Sequence, residues 1–370
     1  MGKDKIIILG KLPPPYMGPS IATEIILSSS LNKDFEIIHL DTGINKEVET
    51  IGRFDGLKIL KNTLIYLRFI RLIIKHRPKL ILIPISQTTV GFLKDSVYIL
   101  LAKLFCRKVL LHLRGSVFKH WLDHSSVWIR GFVVFVLRRS QGVIVLGNKL
   151  RAIFEEYFTR ETIFVVPNGG NYKIPTKSNE SSDVFQILYL ANLFASKGIE
   201  DVTDACVMLQ MRSEIKFHVT LVGGWQNAEV RQRCIKKIES VHAPVTIHPP
   251  TGGEEKMSEL SKADIFLFPP REPEGHPWVI VEAMAAGLPI ISTDQGAITE
   301  SVFDGLNGFI VDVKSPVQIE EKIMYLYKNP TVRIKMGKES RRLYEEKFTE
   351  EKMIQNLKNV FEFIIHPKFK

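Results

Sequence analysis

Short apolar runs alternate with longer segments of helical periodicity along the whole chain. In the first half, the runs that predict buried strands are 5–9, 35–40, 80–84, 109–113, 142–146 and 163–166. In the second half they are 185–190, 217–222, 245–248, 265–268, 289–292 and 308–311. Strands that alternate with helices form parallel sheets. The pattern therefore predicts an α/β protein built from two Rossmann-like halves.

A polar stretch separates the two halves. Residues 175–183 show no apolar periodicity, which is typical of a linker. A length of 370 residues also agrees with two domains of ordinary size. We therefore predict a first domain over 1–170, a second domain over 171–347, and a C-terminal segment over 348–370 that is helical to about residue 365.

Two carboxylates eight residues apart, Glu274 and Glu282, flank the predicted start of a helix near Pro277. Unpaired amides at a helix start attract phosphate, whereas carboxylates suit sugar hydroxyls. A nucleotide diphosphate sugar would use both kinds of group. Besides Glu282, the donor-binding candidates at this start are Gly275, His276, Trp278 and Val279. The alternative is a surface helix with two solvated glutamates.

The sequence around these two glutamates resembles that of glycosyltransferase family 4. The two glutamates have the spacing of that family's motif, and 282–285, 292–296, Glu300 and 304–309 continue the pattern in order. The resemblance implies the GT-B fold, in which two Rossmann-like domains with parallel sheets face each other across a cleft and the last helix crosses back to the first domain. It also implies a retaining transferase, with Glu274 facing the donor sugar and Glu282 holding the ribose.

The resemblance extends to the loop after residue 190. Lys197 matches a lysine that contacts the pyrophosphate, but Asn192 stands where the family usually has an arginine. Arg271 or Arg114 would have to replace that charge. Gly223 matches a glycine of the nucleotide pocket, although a tight turn explains it equally well. The alternative for Lys197 is a solvated lysine at a helix start.

Three candidates lie in the first half. Gly18 matches the glycine that lets a loop approach the donor diphosphate and the acceptor, although proline-rich turns also occur without function. Arg114 occupies the family's usual histidine position, and His112 lies two residues earlier on the same face of a strand. A buried structural histidine is the alternative for His112.

Composition and residue spacing limit the disulfides, metal sites and cofactors that we expect. Cys106, Cys206 and Cys234 are widely spaced and odd in number, so neither a disulfide framework nor a cysteine metal site is expected. The sequence has no Asp-x-Asp pair, and its cysteines and histidines do not combine into a zinc-binding motif. We therefore expect no cofactor and no metal requirement, with the leaving diphosphate neutralised by protein groups.

The basic charge lies in the first half. Residues 1–170 hold 25 Lys and Arg against 13 Asp and Glu, whereas 171–370 hold 25 against 27. Over 57–77 the pattern predicts an apolar stripe at positions 60, 64, 67, 70 and 74, with bases at 58, 61, 68, 71 and 75. Residues 127–139 are apolar and aromatic with Arg130, Arg138 and Arg139. Such basic amphipathic helices often rest on anionic lipid. We therefore expect a cytoplasmic protein that associates peripherally with the inner face of the membrane. Helices that cover the sheet and expose a solvated basic face are the alternative.

These observations favour transfer of a sugar from a nucleotide sugar to an acceptor hydroxyl. A saccharide or lipid-linked saccharide acceptor in cell-surface polysaccharide assembly fits the basic surface best. Two rivals stay open: a sugar-nucleotide epimerase or phosphorylase on the same fold, and a nucleic-acid-binding protein that uses the basic half. Nucleic-acid binding leaves the two glutamates without a role, so we expect no nucleic-acid partner.

Overall fold

The computed structural model describes residues 2–14, 16–43, 56–176, 183–212 and 214–367, without the side chains of 56–60. It forms two units: Met1–Asn168 with Glu350–Lys370, and Gly169–Thr349. The linker predicted at 175–183 lies mostly outside the described residues. No helix of the described part is long and apolar enough to span a membrane.

The first unit is a six-stranded parallel sheet flanked by helices. Its strands are β1 (Asp4–Gly10), β2 (Phe35–Asp41), β3 (Leu80–Ile85), β4 (Lys108–Leu113), β5 (Gly142–Val145) and β6 (Ile163–Val165). Its first six helices are α1 (Gly18–Ser28), α2 (Leu31–Asp34), α3 (Gly56–His76), α4 (Thr89–Leu104), α5 (Phe118–Asp123) and α6 (Val127–Leu137).

The second unit repeats this plan. Its strands are β7 (Phe185–Leu190), β8 (Phe217–Val222), β9 (Val245–His248), β10 (Ile265–Phe268), β11 (Ile290–Thr293) and β12 (Gly308–Val311). Its helices are α7 (Ile199–Gln210), α8 (Ala228–Ser240), α9 (Gly253–Lys262), α10 (Trp278–Ala285), α11 (Pro316–Lys328) and α12 (Pro330–Lys347).

The strand order creates one switch point in each sheet. The orders are β2-β1-β3-β4-β5-β6 and β12-β11-β10-β7-β8-β9, and all recorded strand pairs are parallel. β1 therefore lies beside β3, and β7 lies beside β10. In sheets of this kind the crevice at the carboxyl ends of such a strand pair binds ligands. The predicted α/β class with two parallel sheets is confirmed.

Both faces of each sheet are covered, which explains why the strands are nearly continuous apolar runs. In the second unit, Tyr189 and Val219 belong to an apolar cluster that includes residues of α7 and α11. Leu188 and Phe266 belong to a second cluster, which includes residues of α10. Successive strand residues point to opposite faces, so strands such as β7 and β10 contribute to both clusters. The two cores hold the strand ends, and therefore the loops that follow them, in fixed positions.

The last helix, α13 (Glu350–Ile365), belongs to the first unit. Its Phe361 ring lies 5.9 Å from the ring of Phe35. The Nζ atom of Lys108 donates to the carbonyl oxygens of Ile364 at 2.8 Å and Ile365 at 3.1 Å. A cation at a helix C-terminus is favourable because it satisfies unpaired carbonyl groups. This helix therefore adds both apolar and charged contacts to the first sheet.

Candidate active site

Two loops lie at the switch point of the second sheet. One follows β7 over 191–198 and carries Lys197, and the other follows β10 over 269–277 and carries Glu274. The Nζ atom of Lys197 donates to the Oε1 atom of Glu274. The structure therefore brings together two predicted site residues that are 77 positions apart in the sequence.

This ion pair is partly open to solvent. The side chain of Lys197 is 29% exposed and that of Glu274 is 16% exposed. Burial raises the pKa of the Glu274 carboxyl group above its ordinary value, although the charge of Lys197 partly offsets the effect. The hydroxyl group of the buried Tyr189 donates to the carbonyl oxygen of Lys197 at 3.1 Å and fixes the backbone of its loop. The lysine is thus held in place and remains accessible to an anion.

Two glycines with positive φ allow close backbone contacts around the pair. A Cβ atom on Gly198, at φ +81°, would lie 1.9 Å from the carbonyl oxygen of Pro269. A Cβ atom on Gly296, at φ +65°, would lie 1.7 Å from the carbonyl oxygen of Glu274. The amide of Ala297 donates to that same oxygen at 3.3 Å. Any side chain at either glycine would therefore displace the loop that carries Glu274.

A second lysine–glutamate pair lies at the next helix. Glu282 is in the second turn of α10, and its Oε1 atom accepts a hydrogen bond from the Nζ atom of Lys256 in α9 at 2.5 Å. The side chains are 18% exposed for Lys256 and 4% exposed for Glu282. The other carboxylate oxygen, Oε2, is buried and has no hydrogen-bond partner. One acceptor atom of Glu282 is therefore available for a ligand hydroxyl.

The helix start between the two glutamates agrees with the sequence prediction. Pro277 is the N-cap residue of α10, and its carbonyl oxygen accepts from the amides of Ile280 at 3.2 Å and Val281 at 3.5 Å. Trp278 and Val279 are half-buried in the first turn. The carbonyl oxygen of Gly275 accepts from the Ala297 amide at 3.3 Å.

The side chain of His276 points into the core. Its Nε2 atom lies 2.7 Å from the Oγ atom of Ser301, and its ring centroid lies 5.0 Å from that of Phe348. Burial lowers the pKa of His276 to about 4, so the ring is neutral at physiological pH. Any contact of His276 with a donor would therefore come from its main chain.

Arg271 does not offer a free charge to a diphosphate. Its guanidinium group donates to both carboxylate oxygens of Asp201 at 2.7 Å and to Glu200 at 2.8 Å. Asn192, at the usual arginine position, is exposed and carries no charge. Lys197 is therefore the described cation best placed to meet a diphosphate in this unit. Gly223, at φ +156°, approaches the carbonyl oxygen of Ala191, where a Cβ atom would lie at 1.9 Å.

The three candidates of the first unit also gather at a carboxyl edge. α1 begins at Gly18, because the Met17 amide donates to the Oγ atom of Ser20 at 3.0 Å and Pro19 suits the first turn. The Nη1 atom of Arg114 donates to the carbonyl oxygen of Pro19 at 3.1 Å. The structure therefore brings Arg114, after β4, next to the first turn that contains Gly18.

Several side-chain nitrogen atoms of His112 and Arg114 lack hydrogen-bond partners in the described structure. Both ring nitrogens of His112 and the Nε atom of Arg114 are buried without a hydrogen-bond partner. Burial, with a smaller effect of Arg114, lowers the pKa of His112 well below its ordinary value. Burial also lowers the pKa of Arg114 to about 10. Unpaired buried polar groups are costly, so these atoms are candidates for contact with a ligand.

The comparisons with known proteins locate this site within a family. Residues 171–343 match the model of the family described as glycosyl transferases group 1. This segment is therefore similar to the group 1 glycosyl transferases over its whole length. The group 1 domain contains the whole second sheet and both lysine–glutamate pairs.

Similarity to individual proteins extends beyond the group 1 domain. The chain is 27% identical over 242 residues to an uncharacterized glycosyltransferase of Methanocaldococcus jannaschii, covering 64% of each chain. It is 27% identical over 183 residues to the lipopolysaccharide 1,2-N-acetylglucosaminetransferase of Salmonella typhimurium, covering 45% of this chain and 48% of that protein. The chain thus spans less than two thirds of the length of these relatives.

A solved structure shows that the fold is shared over nearly the full length. The Anabaena protein HepE, solved in complex with UDP and glucose, has a TM-score of 0.71 to this chain at 16% identity, covering 97% of this chain and 99% of its own. The GT-B fold implied by the sequence resemblance is therefore confirmed.

Lys256 is the residue of the group 1 domain that the sequence did not reveal. It is 26 residues before Glu282, in a helix whose charged sequence resembles any exposed helix. The only signal is indirect: a buried glutamate requires a compensating charge, but the sequence does not show which residue supplies it. Within the described residues no three His, Cys, Asp or Glu side chains are grouped so that they could hold a metal ion.

Proposed function

We propose that the chain is a retaining glycosyltransferase that moves a sugar from a nucleotide diphosphate sugar to an acceptor hydroxyl without a metal ion. The observation that carries this proposal is the presence of two lysine–glutamate pairs in the group 1 domain: Lys197–Glu274 at the switch point of the sheet, and Lys256–Glu282 between α9 and α10. A cation, a helix start and acceptor oxygens are the groups that a nucleotide diphosphate sugar needs.

Each group of the site has a role in donor binding. The free Oε2 atom of Glu282 accepts from a ribose hydroxyl, and Lys256 keeps that carboxylate oriented. Lys197 and the first-turn amides of α10 bind the diphosphate, while Glu274 accepts from hydroxyls of the donor sugar. The HepE complex with UDP and glucose supports a donor of this kind, because that protein has the same fold.

The reaction follows from these roles. The acceptor oxygen forms a bond to the anomeric carbon on the face from which the diphosphate departs, and the anomeric carbon–phosphate oxygen bond breaks. The acceptor proton passes to the leaving phosphate oxygen. Lys197 stabilises the charge that develops on that group, and such fixed charges are usually the largest contribution to catalysis. Glu274 orients the sugar rather than attacking it.

The first unit is assigned to the acceptor. Gly18, His112 and Arg114 lie at the carboxyl edge of its sheet, and the buried unpaired atoms of His112 and Arg114 suit contact with a polar ligand. We assign a lipid-linked saccharide used in cell-surface polysaccharide assembly. The similarity to the Salmonella enzyme, whose name includes lipopolysaccharide, supports this class of acceptor.

The surface of α3 supports attachment to a membrane. The helix buries Phe69 and Ile73 against the first unit. Three apolar residues of the predicted stripe are more than half exposed instead, namely Leu64, Leu67 and Ile74. The bases Lys61, Arg68 and Lys75 are exposed on the same helix. The positions predicted at 58 and 60 lie outside the described side chains. We propose that the protein is cytoplasmic and binds the inner face of the membrane through this surface.

A second helix of the first unit has a similar surface. In α6, Val127 is 72% exposed and Trp128 is 88% exposed. Arg139 lies just after this helix, and its guanidinium carbon is 3.2 Å from the ring centroid of Phe135. Exposed tryptophan beside basic residues is typical of helices that lie in the membrane interface. Each base near an anionic surface contributes about 1 kcal/mol.

Vesicle sedimentation tests the attachment. The wild-type protein should pellet with anionic phosphatidylserine vesicles at low salt and less at high salt, because salt screens the charges. The triple variant Lys61→Gln, Arg68→Gln, Lys75→Gln should remain in the supernatant with unchanged nucleotide binding. The attachment is wrong if the wild type stays in the supernatant or the triple variant pellets equally well.

Donor binding and turnover test the proposed chemistry. A screen of nucleotide diphosphate sugars by thermal shift should identify a donor that stabilises the protein, and excess chelator should leave transfer unchanged. Strict dependence on magnesium or manganese would contradict the proposed mechanism. Turnover of the sugar nucleotide without any acceptor would instead indicate an epimerase or phosphorylase.

A further inference from the structure

Arg271 connects the two loops of the candidate site. Its amide donates to the carbonyl oxygen of Ser196 at 2.8 Å, directly before Lys197. Its Nε and Nη2 atoms donate to the two carboxylate oxygens of Asp201, each at 2.7 Å, and its Nη1 atom donates to Glu200 at 2.8 Å. Arg271 therefore holds the loop after β10 against the first turn of α7.

These contacts bear directly on the Lys197–Glu274 pair. Arg271 is three residues before Glu274, and Asp201 is four residues after Lys197. The Asp201 side chain is only 4% exposed, so its position is fixed by packing. A planar guanidinium group that binds a buried carboxylate through two bonds fixes direction as well as distance. The relative position of Lys197 and Glu274 therefore depends on the Arg271–Asp201 contact.

The same contacts balance charge near the expected diphosphate position. Glu200 and Asp201 lie in the first turn of α7, just after the loop of Lys197. One oxygen of Glu200 accepts from Arg271 and the other accepts from Arg233 at 2.8 Å. Burial raises the pKa of Glu200, but the bonds from Arg233 and Arg271 lower it overall, so the carboxylate stays ionised. Uncompensated, these two negative charges would repel a diphosphate.

We propose that Arg271 is a positioning residue of the donor site: it aligns Lys197 with Glu274 and offsets the charges of Glu200 and Asp201, so that the site selects a diphosphate. The inference rests on the proposed function, since it concerns the same site. Arg271 touches no substrate in this role. It replaces the direct phosphate contact that the sequence suggested for this arginine.

The variant Arg271→Lys tests the inference because it keeps the charge but loses the planar fork. Isothermal titration with UDP and UMP should show about tenfold weaker binding of UDP and little change for UMP. A purely structural role would weaken both nucleotides equally or neither. The matched control is Arg212→Lys, because Arg212 also bonds a buried carboxylate, that of Glu320 at 3.2 Å. The control should leave the UDP to UMP ratio unchanged.

A second measurement needs no nucleotide. Lys197 is 29% exposed, so its reaction with acetic anhydride can be followed by mass spectrometry. Loss of alignment with Glu274 should raise its labelling rate several-fold in Arg271→Lys, with Lys256 as the internal reference, because an amine engaged in an ion pair is less reactive. If Arg271→Lys does not fold, the double variant Arg271→Gln, Asp201→Asn leaves no unpaired charge and takes its place.

The two measurements separate the possible failures. Wild-type protein that binds no nucleotide contradicts the proposed function, while the labelling rate still decides the role of Arg271. Wild-type protein that binds UDP, together with an unchanged UDP to UMP ratio and an unchanged labelling rate in the Arg271 variant, overturns the positioning role alone.

Discussion

The two lysine–glutamate pairs of the group 1 domain use the same chemistry at different depths. In the Lys197–Glu274 pair the side chains are 29% and 16% exposed, whereas in the Lys256–Glu282 pair they are 18% and 4% exposed. A charge that loses its partner costs more free energy the deeper it is buried. The comparison predicts that breaking the deeper pair costs the more folding free energy. In the proposed function the deeper pair also serves nucleotide binding, and the more open pair serves the reaction.

Removing the charge of Lys256 should have the largest effect on stability. In Lys256→Met, Glu282 would be left buried and unpaired, so the free energy of unfolding should fall by about 3 to 5 kcal/mol. Urea unfolding measures this change. Lys262→Met is the matched control on the same helix, since Lys262 is 61% exposed and bonds Glu259; a change within about 1 kcal/mol is expected there.

The double variant Lys256→Met, Glu282→Leu sharpens the same point. It removes both charges, so most of the lost stability should return. Nucleotide binding should not return, because Glu282 supplies the ribose contact in the proposed function. If Lys256→Met is as stable as Lys262→Met, depth does not distinguish the two pairs.

Replacing Lys197 should mainly affect transfer. In Lys197→Ala the diphosphate loses its cation, so kcat should fall by about 10²- to 10³-fold, as when other fixed groups that stabilise developing charge are removed. Stopped assays with the identified donor measure this loss. Stability should fall less than in Lys256→Met, because Glu274 is the more exposed of the two glutamates. A wild-type rate would exclude Lys197 from the chemistry.

The two glutamates should separate binding from turnover. Glu282→Gln should weaken donor binding, whereas Glu274→Gln should lower kcat with a smaller effect on binding, because donor-sugar contacts change most in the transition state. Each loss should amount to about 1.5 to 3 kcal/mol. Titration of the nucleotide and steady-state kinetics give the two quantities. The same kinetic pattern in both variants would remove the proposed division of roles.

The sequence was sufficient for the secondary-structure elements and for three of the four charged residues in these pairs. Strand positions could be predicted because buried parallel strands are short continuous apolar runs, and five of the six strands of the second unit lie at the predicted residues. Lys197, Glu274 and Glu282 were found by their place at loop and helix starts. Their roles in binding and transfer stay predictions.

The fourth charged residue, Lys256, could not be predicted because its role depends on tertiary contacts. No local pattern shows that Lys256 of α9 contacts Glu282, or that the guanidinium group of Arg271 binds the carboxylate of Asp201. Likewise, periodicity alone selected Leu64 and Ile74 of α3 as an apolar stripe, but the helix buries Phe69 and Ile73. Which face a helix buries depends on its neighbours, and these are brought together only by the fold.

The smallest predicted effect concerns His276, which is buried between the two glutamates. Its folded-state pKa of about 4 is below the ordinary value of 6.5, so the unfolded chain binds the proton more readily. The resulting stability is fully present above about pH 6.5 and is lost as pH falls toward 4. Between pH 7 and 5 the loss should be about 2 kcal/mol.

Urea unfolding of wild type and of His276→Gln at both pH values isolates this contribution, because the variant lacks the titrating ring. His242→Asn, at an exposed position with φ of 51°, is the control and should keep the full pH dependence. Equal pH dependence in wild type and His276→Gln would mean that the acid sensitivity of the domain comes from other groups. Glu274 is not one of them, because burial raises the pKa of its carboxyl group. A carboxyl group that binds its proton more tightly in the folded state favours folding at lower pH.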